Sequence, residues 1–228
     1  MGIVTESAML GWHGLEGDRR FAFRRMEEKG GFPWLSASRL PELLLYEPIG
    51  HDVAGGEFLP THVRTPSGAL VEIWGLELKK EIAGRLGSDV ELMKLKHGTF
   101  DEGAVSVING ATISEIGREA GIELDRRRFR SNIIVETTEG KPFLEDGWIG
   151  GMLLFGEGDE RPAMSVLSKD ERCMMINLDP ETAVQEPRIL KAVVRLNKNN
   201  AGVYATVVRR GTIRVSDTVY LQEDTPHG

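Results

Sequence analysis

Asp125-Arg126-Arg127-Arg128-Phe129-Arg130-Ser131-Asn132-Ile133-Ile134-Val135 is the stretch at which this chain passes from helical to strand periodicity. Just before it, Ala111 to Ala120 places Ile113, Ile116 and Ala120 on one helical face, with Asn109 or Thr112 as cap and Gly121 as stop. Beyond it, the 3.6-residue period disappears. Phe129 to Val135, Met152 to Phe155, Ala163 to Leu167, Cys173 to Leu178, Ala192 to Leu196, Gly202 to Val208 and Thr218 to Leu221 read as strands separated by turn residues.

Upstream, strands are predicted at Arg20 to Arg25, Trp34 to Ala37, Leu43 to Pro48, Leu70 to Trp74 and Val90 to Leu95, with a polar turn over His51 to Glu57. A second helix is predicted from Leu76 to Leu86, where Leu76, Ile82, Ala83 and Leu86 form the stripe and Gly87 the stop. So many strands with two short helices imply a mainly β fold, closed as a barrel, because closure removes exposed edges.

Composition narrows the function classes. A net charge of −7 opposes sequence-independent binding to nucleic acid, which requires a basic surface. No apolar run approaches the roughly 20 residues of a membrane helix, and the first ten residues lack the pattern of a secretory signal. A single cysteine excludes an internal disulfide framework and cysteine-rich metal clusters, so a reducing cytosol is expected. The five histidines show no metal-ligand spacing.

Within the opening stretch, strand alternation puts Arg128, Arg130 and Asn132 on one face, with Phe129, Ser131, Ile133 and Val135 on the other. Two guanidinium groups and an amide suit phosphate and polar ring edges. The plain alternative is an edge strand whose arginines discourage edge-to-edge pairing. The lone Cys173 begins another predicted strand, sharing a face with Met175 and Asn177 and pointing away from the apolar face of Met174, Ile176 and Leu178. A thiolate there gains from nearby positive charge. The alternative is a small buried hydrophobe.

Arg172 assists Cys173 only if it lies in the loop before the strand. Arg19, Arg20, Ser36, Ser38 and Arg39 supply further donors for an anion, although surface Arg and Ser are usually just solvated. His97, Asp101 and Glu102 read as solvated loop charges, and Gly211-Thr212-Ile213 with Asp217 as a closing hairpin.

Taken in order, these pieces resemble the MOSC family, named for the C-terminal domain of molybdenum-cofactor sulfurase. Gly14-Leu15-Glu16-Gly17-Asp18-Arg19-Arg20-Phe21 and Leu35 to Leu44 look like the family's N-terminal β subdomain. Val105 to Asn109, Phe129 to Ile133, Glu145 to Trp148, Arg172-Cys173 with Asp179 to Thr182, and Gly211 to Val219 look like the MOSC domain itself. The resemblance implies a MOSC-type β-barrel plus a smaller N-terminal β subdomain, divided as residues 1–75, 76–222 and a tail at 223–228.

It further implies that the chain binds the molybdenum cofactor, with Cys173 as thiolate ligand beside two dithiolene sulfurs from the pterin. Arg130, Asn132 and Arg172 are then expected to hold the cofactor, with Arg20, Ser36, Ser38, Asn109 and Arg128 as further contacts. Relatives such as the mitochondrial amidoxime-reducing component reduce N-hydroxylated compounds. By analogy, the substrate is a small N–O or S–O compound and electrons come from a separate donor protein. Two other readings stand beside the reductase: a sulfur carrier using a Cys173 persulfide, and a cofactor carrier without catalysis.

Two features depart from the family pattern. The family's first strand, with its proline-valine-lysine-serine stretch, is not present before Gly14. Ser216 stands where a glycine is common before Asp217.

Overall fold

A computed structural model describes residues 4–52, 59–98 and 102–223, and its contacts divide the chain into two units. The first comprises Met1–Ile3, Gly17–Thr99 and Leu178–Gln185; the second comprises Val4–Glu16, Phe100–Asn177 and Glu186–Gly228.

Alternating residues build the second unit's sheets. It begins with β1 (Ser7–Gly11) and β2 (Gly14–Leu15). In the first unit, β3 (Phe21–Arg25) is followed by β4 (Glu47–Asp52), β5 (Leu59–Arg64), β6 (Leu70–Glu72), helix α1 (Leu76–Leu86) and β7 (Val90–Lys94). There β3 pairs with β7, and β4, β5 and β6 form a three-stranded sheet. Leu35, Leu40, Val63, Val71, Ile82 and Val90 pack into the first unit's core. Gly87 stops α1 as predicted, with φ 78°.

The second unit resumes with β8 (Val105–Asn109), α2 (Gly110–Ala120), β9 (Ile133–Val135), β10 (Met152–Phe155), β11 (Ala163–Glu171), α3 (Arg188–Asn197), β12 (Asn200–Arg209), β13 (Gly211–Arg214) and β14 (Val219–Gln222). Six strands in the order β14-β10-β11-β12-β8-β9 form a curled half-barrel sheet. Every pairing in it is antiparallel except β8 with β9.

Period-2 alternation gives this sheet two faces. Val105, Val107, Val203, Ala205 and Val207 point into one cluster with Leu153, Met164 and Leu10. Ile108 points the other way, into a cluster with Ile113, Ile116, Ile189, Ala192 and Val193 from α2 and α3, and Ala201 joins that cluster across the register shift in the β11–β12 pairing. Each large aliphatic side chain so buried contributes about 1.5–3 kcal/mol. The mainly β, barrel-type architecture read from the sequence is the one observed. No helix among the described residues is long and apolar enough to cross a membrane.

Several local expectations are corrected. Ala192 to Leu196 belongs to α3, a third helix: Ile189, Ala192, Val193 and Leu196 follow i, i+3, i+4, i+7 spacing, which a five-residue window reads as a strand. Phe129 to Val135 is a strand only from Ile133 onward. Arg126–Phe129 is a 3-10 turn capped by Asp125, whose carboxylate accepts from the Arg127 amide, and Arg130 ends it at φ 53°. Arg128, Arg130 and Asn132 therefore do not line a strand face.

The expected strand Cys173 to Leu178 opens as a 3-10 turn at Met174–Asn177, and β11 instead runs on to Glu171. Trp34 makes only an isolated bridge to Arg24. Pro41–Leu45 is a 3-10 turn, and β4 continues through His51 and Asp52; residues 53–57 of the predicted turn lie outside the described residues. Strands β1 and β5 were not anticipated; Pro60 obscures the second. The predicted closing hairpin is split, since β13 pairs with β1 and β14 with β10. Its turn chemistry holds: Asp217 accepts from the Arg214 amide at 2.8 Å, and Ser216 takes the left-handed conformation, φ 71°, that favours glycine.

Candidate functional site

The site is built where β11 ends. Strand pairing with β12 stops at Glu171↔Asn200, and the chain then reverses through Arg172 and Cys173. Arg172 is buried, while Cys173 is exposed. The buried-hydrophobe alternative for this cysteine is therefore set aside, and Arg172 does occupy the loop preceding the next element.

Each guanidinium nitrogen of Arg172 is engaged. Nε donates to Ala201 O at 2.6 Å, Nη1 to Phe129 O at 2.8 Å, and Nη2 to Ser131 Oγ at 3.3 Å. Nη2 also lies 2.9 Å from Asp170 Oδ2, in an ion pair with both partners buried. The plane stands 5.4 Å from the Phe129 ring centroid. Burial pulls the Arg172 pKa below its ordinary value, and Asp170 opposes that shift.

Asp170 is in turn held by Ser106 Oγ at 2.8 Å, from the start of β8. Asn132 completes the frame: its Oδ1 accepts from the Ser106 amide, and its own amide donates to Ser106 O. Two turns are thus bound together. One carries Arg130, flanked by Phe129 and Ser131; the other carries Cys173, next to Arg172.

The remaining expected residues of this unit divide between two tasks. Arg128 donates from Nη1 to Asn177 O at 2.8 Å, tying its turn to the one after Cys173. Arg130 is half-buried in the left-handed conformation. Asn109 is fully buried and caps α2, accepting from the Ala111 amide and donating to Lys141 O. Beside it, the buried Glu145 carboxyl accepts from Thr112 Oγ1 at 2.9 Å and the Asn109 amide at 3.4 Å; burial raises its pKa. Asp125 is held below the usual carboxylate range by Arg127.

Arg20, Ser36 and Ser38 belong to the first unit, where Arg20 Nε donates to Leu95 O and the two serine hydroxyls share a 2.7 Å hydrogen bond. Asp101 lies outside the described residues.

Sequence reasoning missed Asp170, Ser106 and Ser131. A signal existed for the first, because Asp170 and Arg172 are two apart on an extended segment and share a face. For the serines there was none, since their partners lie 25 and 64 residues away.

The donor set can be tested against a metal group. Among the described residues no cluster of three or more His, Cys, Asp or Glu side chains can hold a metal ion. One exposed thiol beside an arginine-bearing turn suits instead a group that brings most of its own ligands and is anionic.

A model of the MOSC domain matches residues 94–220. No curated protein matches the chain. Among solved structures, the YuaD protein from Bacillus subtilis is 13% identical, with 97% of this chain and 87% of that one covered and a TM-score of 0.49. YiiM from Geobacillus stearothermophilus is 16% identical, over 53% of this chain and 55% of that one, with a TM-score of 0.41.

Proposed function

We propose that this chain, which belongs to the MOSC domain family, holds the molybdenum cofactor with Cys173 as thiolate ligand and reduces N-hydroxylated or related N–O and S–O compounds. The observation carrying this reading is the pairing of an exposed Cys173 with the Arg130 turn through the buried Arg172 clasp. Such a cofactor supplies two dithiolene sulfurs and a metal that accepts oxygen and is restored by electrons.

The protein's own residues do the rest. Cys173 presents a soft donor at the surface, where a metal group can reach it. Arg130 and Arg128 bring guanidinium groups suited to phosphate and to polar ring edges. Arg172 and Asn132, whose polar groups bind protein atoms, act from behind by fixing the turns, and Asn109 serves as the α2 cap. The reading rests on the second unit alone and leaves Arg20, Ser36 and Ser38 without an assigned role. A separate protein delivers the electrons, and the substrate is a small molecule.

The test is the metal content of wild-type protein and of Cys173→Ala, both purified from a cofactor-competent host. Stoichiometric molybdenum in the wild type and its loss in the variant supports the proposal. Wild-type protein without molybdenum refutes it; a labile extra sulfur on Cys173 by intact mass would then point to a sulfur carrier. Molybdenum retained without turnover of an N-hydroxylated probe and supplied reductant would refute the reductase and leave a cofactor carrier.

A further inference from the structure

The geometry points to Arg172 as the positioning residue of the site: its buried guanidinium sets the separation between Cys173 and Arg130 and touches no ligand itself. For what the site holds, this rests on the reading just given; for the placement itself, it rests on contacts within the second unit.

Consider what fixes each turn without it. Arg130 follows a four-residue 3-10 turn and sits at φ 53°, a conformation that a non-glycine residue keeps only when its surroundings impose it. The Phe129 carbonyl before it and the Ser131 hydroxyl after it both accept from the Arg172 guanidinium. Cys173 follows the strand end at Glu171, where the Arg172 amide donates to Asn199 O at 2.8 Å. The main chain of Arg172 therefore anchors the cysteine turn to the α3–β12 connection, while its side chain anchors the arginine turn. One residue spans both.

The surroundings are shaped for this use. Gly202, at φ 89°, lacks the side chain whose Cβ would stand 3.0 Å from Arg172 Nη2 and 2.7 Å from Val107 O. Asp170 supplies the counter-charge from the same strand end, and Ser106 orients Asp170 from β8. A planar fork making three divergent bonds at fixed angles is something a lysine cannot reproduce, although it keeps the charge. Buried ion pairs of this kind seldom add net stability over an apolar replacement, so a positioning role gives a physical reason for the arrangement.

The experiment uses the full chain without metal, so that its outcome is independent of cofactor loading. Cys173 is the sole cysteine, and Arg130→Cys adds a second attachment point. Nitroxide labels at 130 and 173 report their separation by dipolar broadening in continuous-wave EPR. In the otherwise native background we expect one narrow, strongly coupled distribution. Adding Arg172→Lys, in protein that still melts cooperatively, should abolish the strong coupling.

A destabilising change in the other core cluster, Leu153→Ala, whose buried neighbours include no residue of either turn, serves as control and should leave the coupling intact; that separates positioning from mere loss of stability. Unchanged coupling in the lysine variant, or equal loss in the control, overturns the inference. Should Arg172→Lys fail to fold, Ser131→Ala removes the side-chain acceptor of the clasp, together with its 3.2 Å contact from Ser106 Oγ: loss of strong coupling supports the inference, and its retention overturns it. Absence of molybdenum from the wild type would sink the proposed function and leave this result standing.

Discussion

Glu145 allows the buried polar frame to be tested through its pH dependence. Its carboxyl is wholly inaccessible and accepts from Thr112 Oγ1 and from the Asn109 amide; Thr112 Oγ1 also accepts from the Phe143 amide at 2.7 Å. Burial, chiefly, raises its pKa, and Asp146 pushes the same way against the hydrogen bonds. The folded chain thus holds this proton more tightly than the unfolded chain, whose glutamate titrates near about 4.3.

The stabilising contribution of that proton is complete below the unfolded value and is lost as pH rises through the raised folded value; above that, the cost of burying a carboxylate persists. Glu145→Gln keeps an accepting oxygen and cannot ionise. It should lie within about 1 kcal/mol of wild type, or above it, at neutral pH. Glu145→Ala leaves the Thr112 hydroxyl and Asn109 amide without an acceptor, at about 1–3 kcal/mol each, so a net loss of about 2–4 kcal/mol is expected after relief of the buried charge. Urea unfolding followed from about pH 4 to about pH 8 measures the difference between wild type and the glutamine variant, which should grow in the variant's favour as pH rises. A difference that stays constant across that range would refute the reasoning.

Two further outcomes follow from the same contacts. Gly202→Ala must place a Cβ 2.7 Å from Val107 O at φ 89°, so a loss of about 1–3 kcal/mol is expected in thermal unfolding, and wild-type stability would show that the β8–β12 approach is looser than described. Asn109→Ala removes the α2 cap and the tie to Lys141 O, which should cost about 1–2 kcal/mol while leaving molybdenum content unchanged; lost metal at retained stability would restore Asn109 as a direct contact.

Periodicity carried most of the fold because burial enforces it. Val203, Ala205 and Val207 share one face at period 2, so β12 was readable as a strand from its residues; Ala201, of the same parity, reaches the other cluster only across the irregularity at Gly202, φ 89°. The helix α2 was readable down to its Gly121 stop, whose φ is 68°, and of the two candidate caps, Asn109 and Thr112, Asn109 takes the position. Failures cluster where local rules compete. In α3, Ile189 through Leu196 satisfies a helix only when the window reaches both ends. In 126–135, alternation of arginine with apolar residues mimics a strand, but Asp125 captures the Arg127 amide and closes a turn first.

The site was legible by residue type and opaque by role. Cys173 and Arg130 were singled out from chemistry and resemblance, yet neither periodicity nor spacing distinguishes an arginine that meets solvent from one that binds three protein acceptors. That distinction depends on residues distant in sequence: Phe129 lies 43 positions before Arg172, and Ala201 lies 29 after it. The same burial explains the cysteine's exposure. With Arg172 on one side and Ile176 on the other both buried, the short segment between them is pinned at each end, and a residue between two such anchors is lifted to the surface at low cost to the core. The one thiol in the chain is thus exposed within a short segment whose flanking residues are buried.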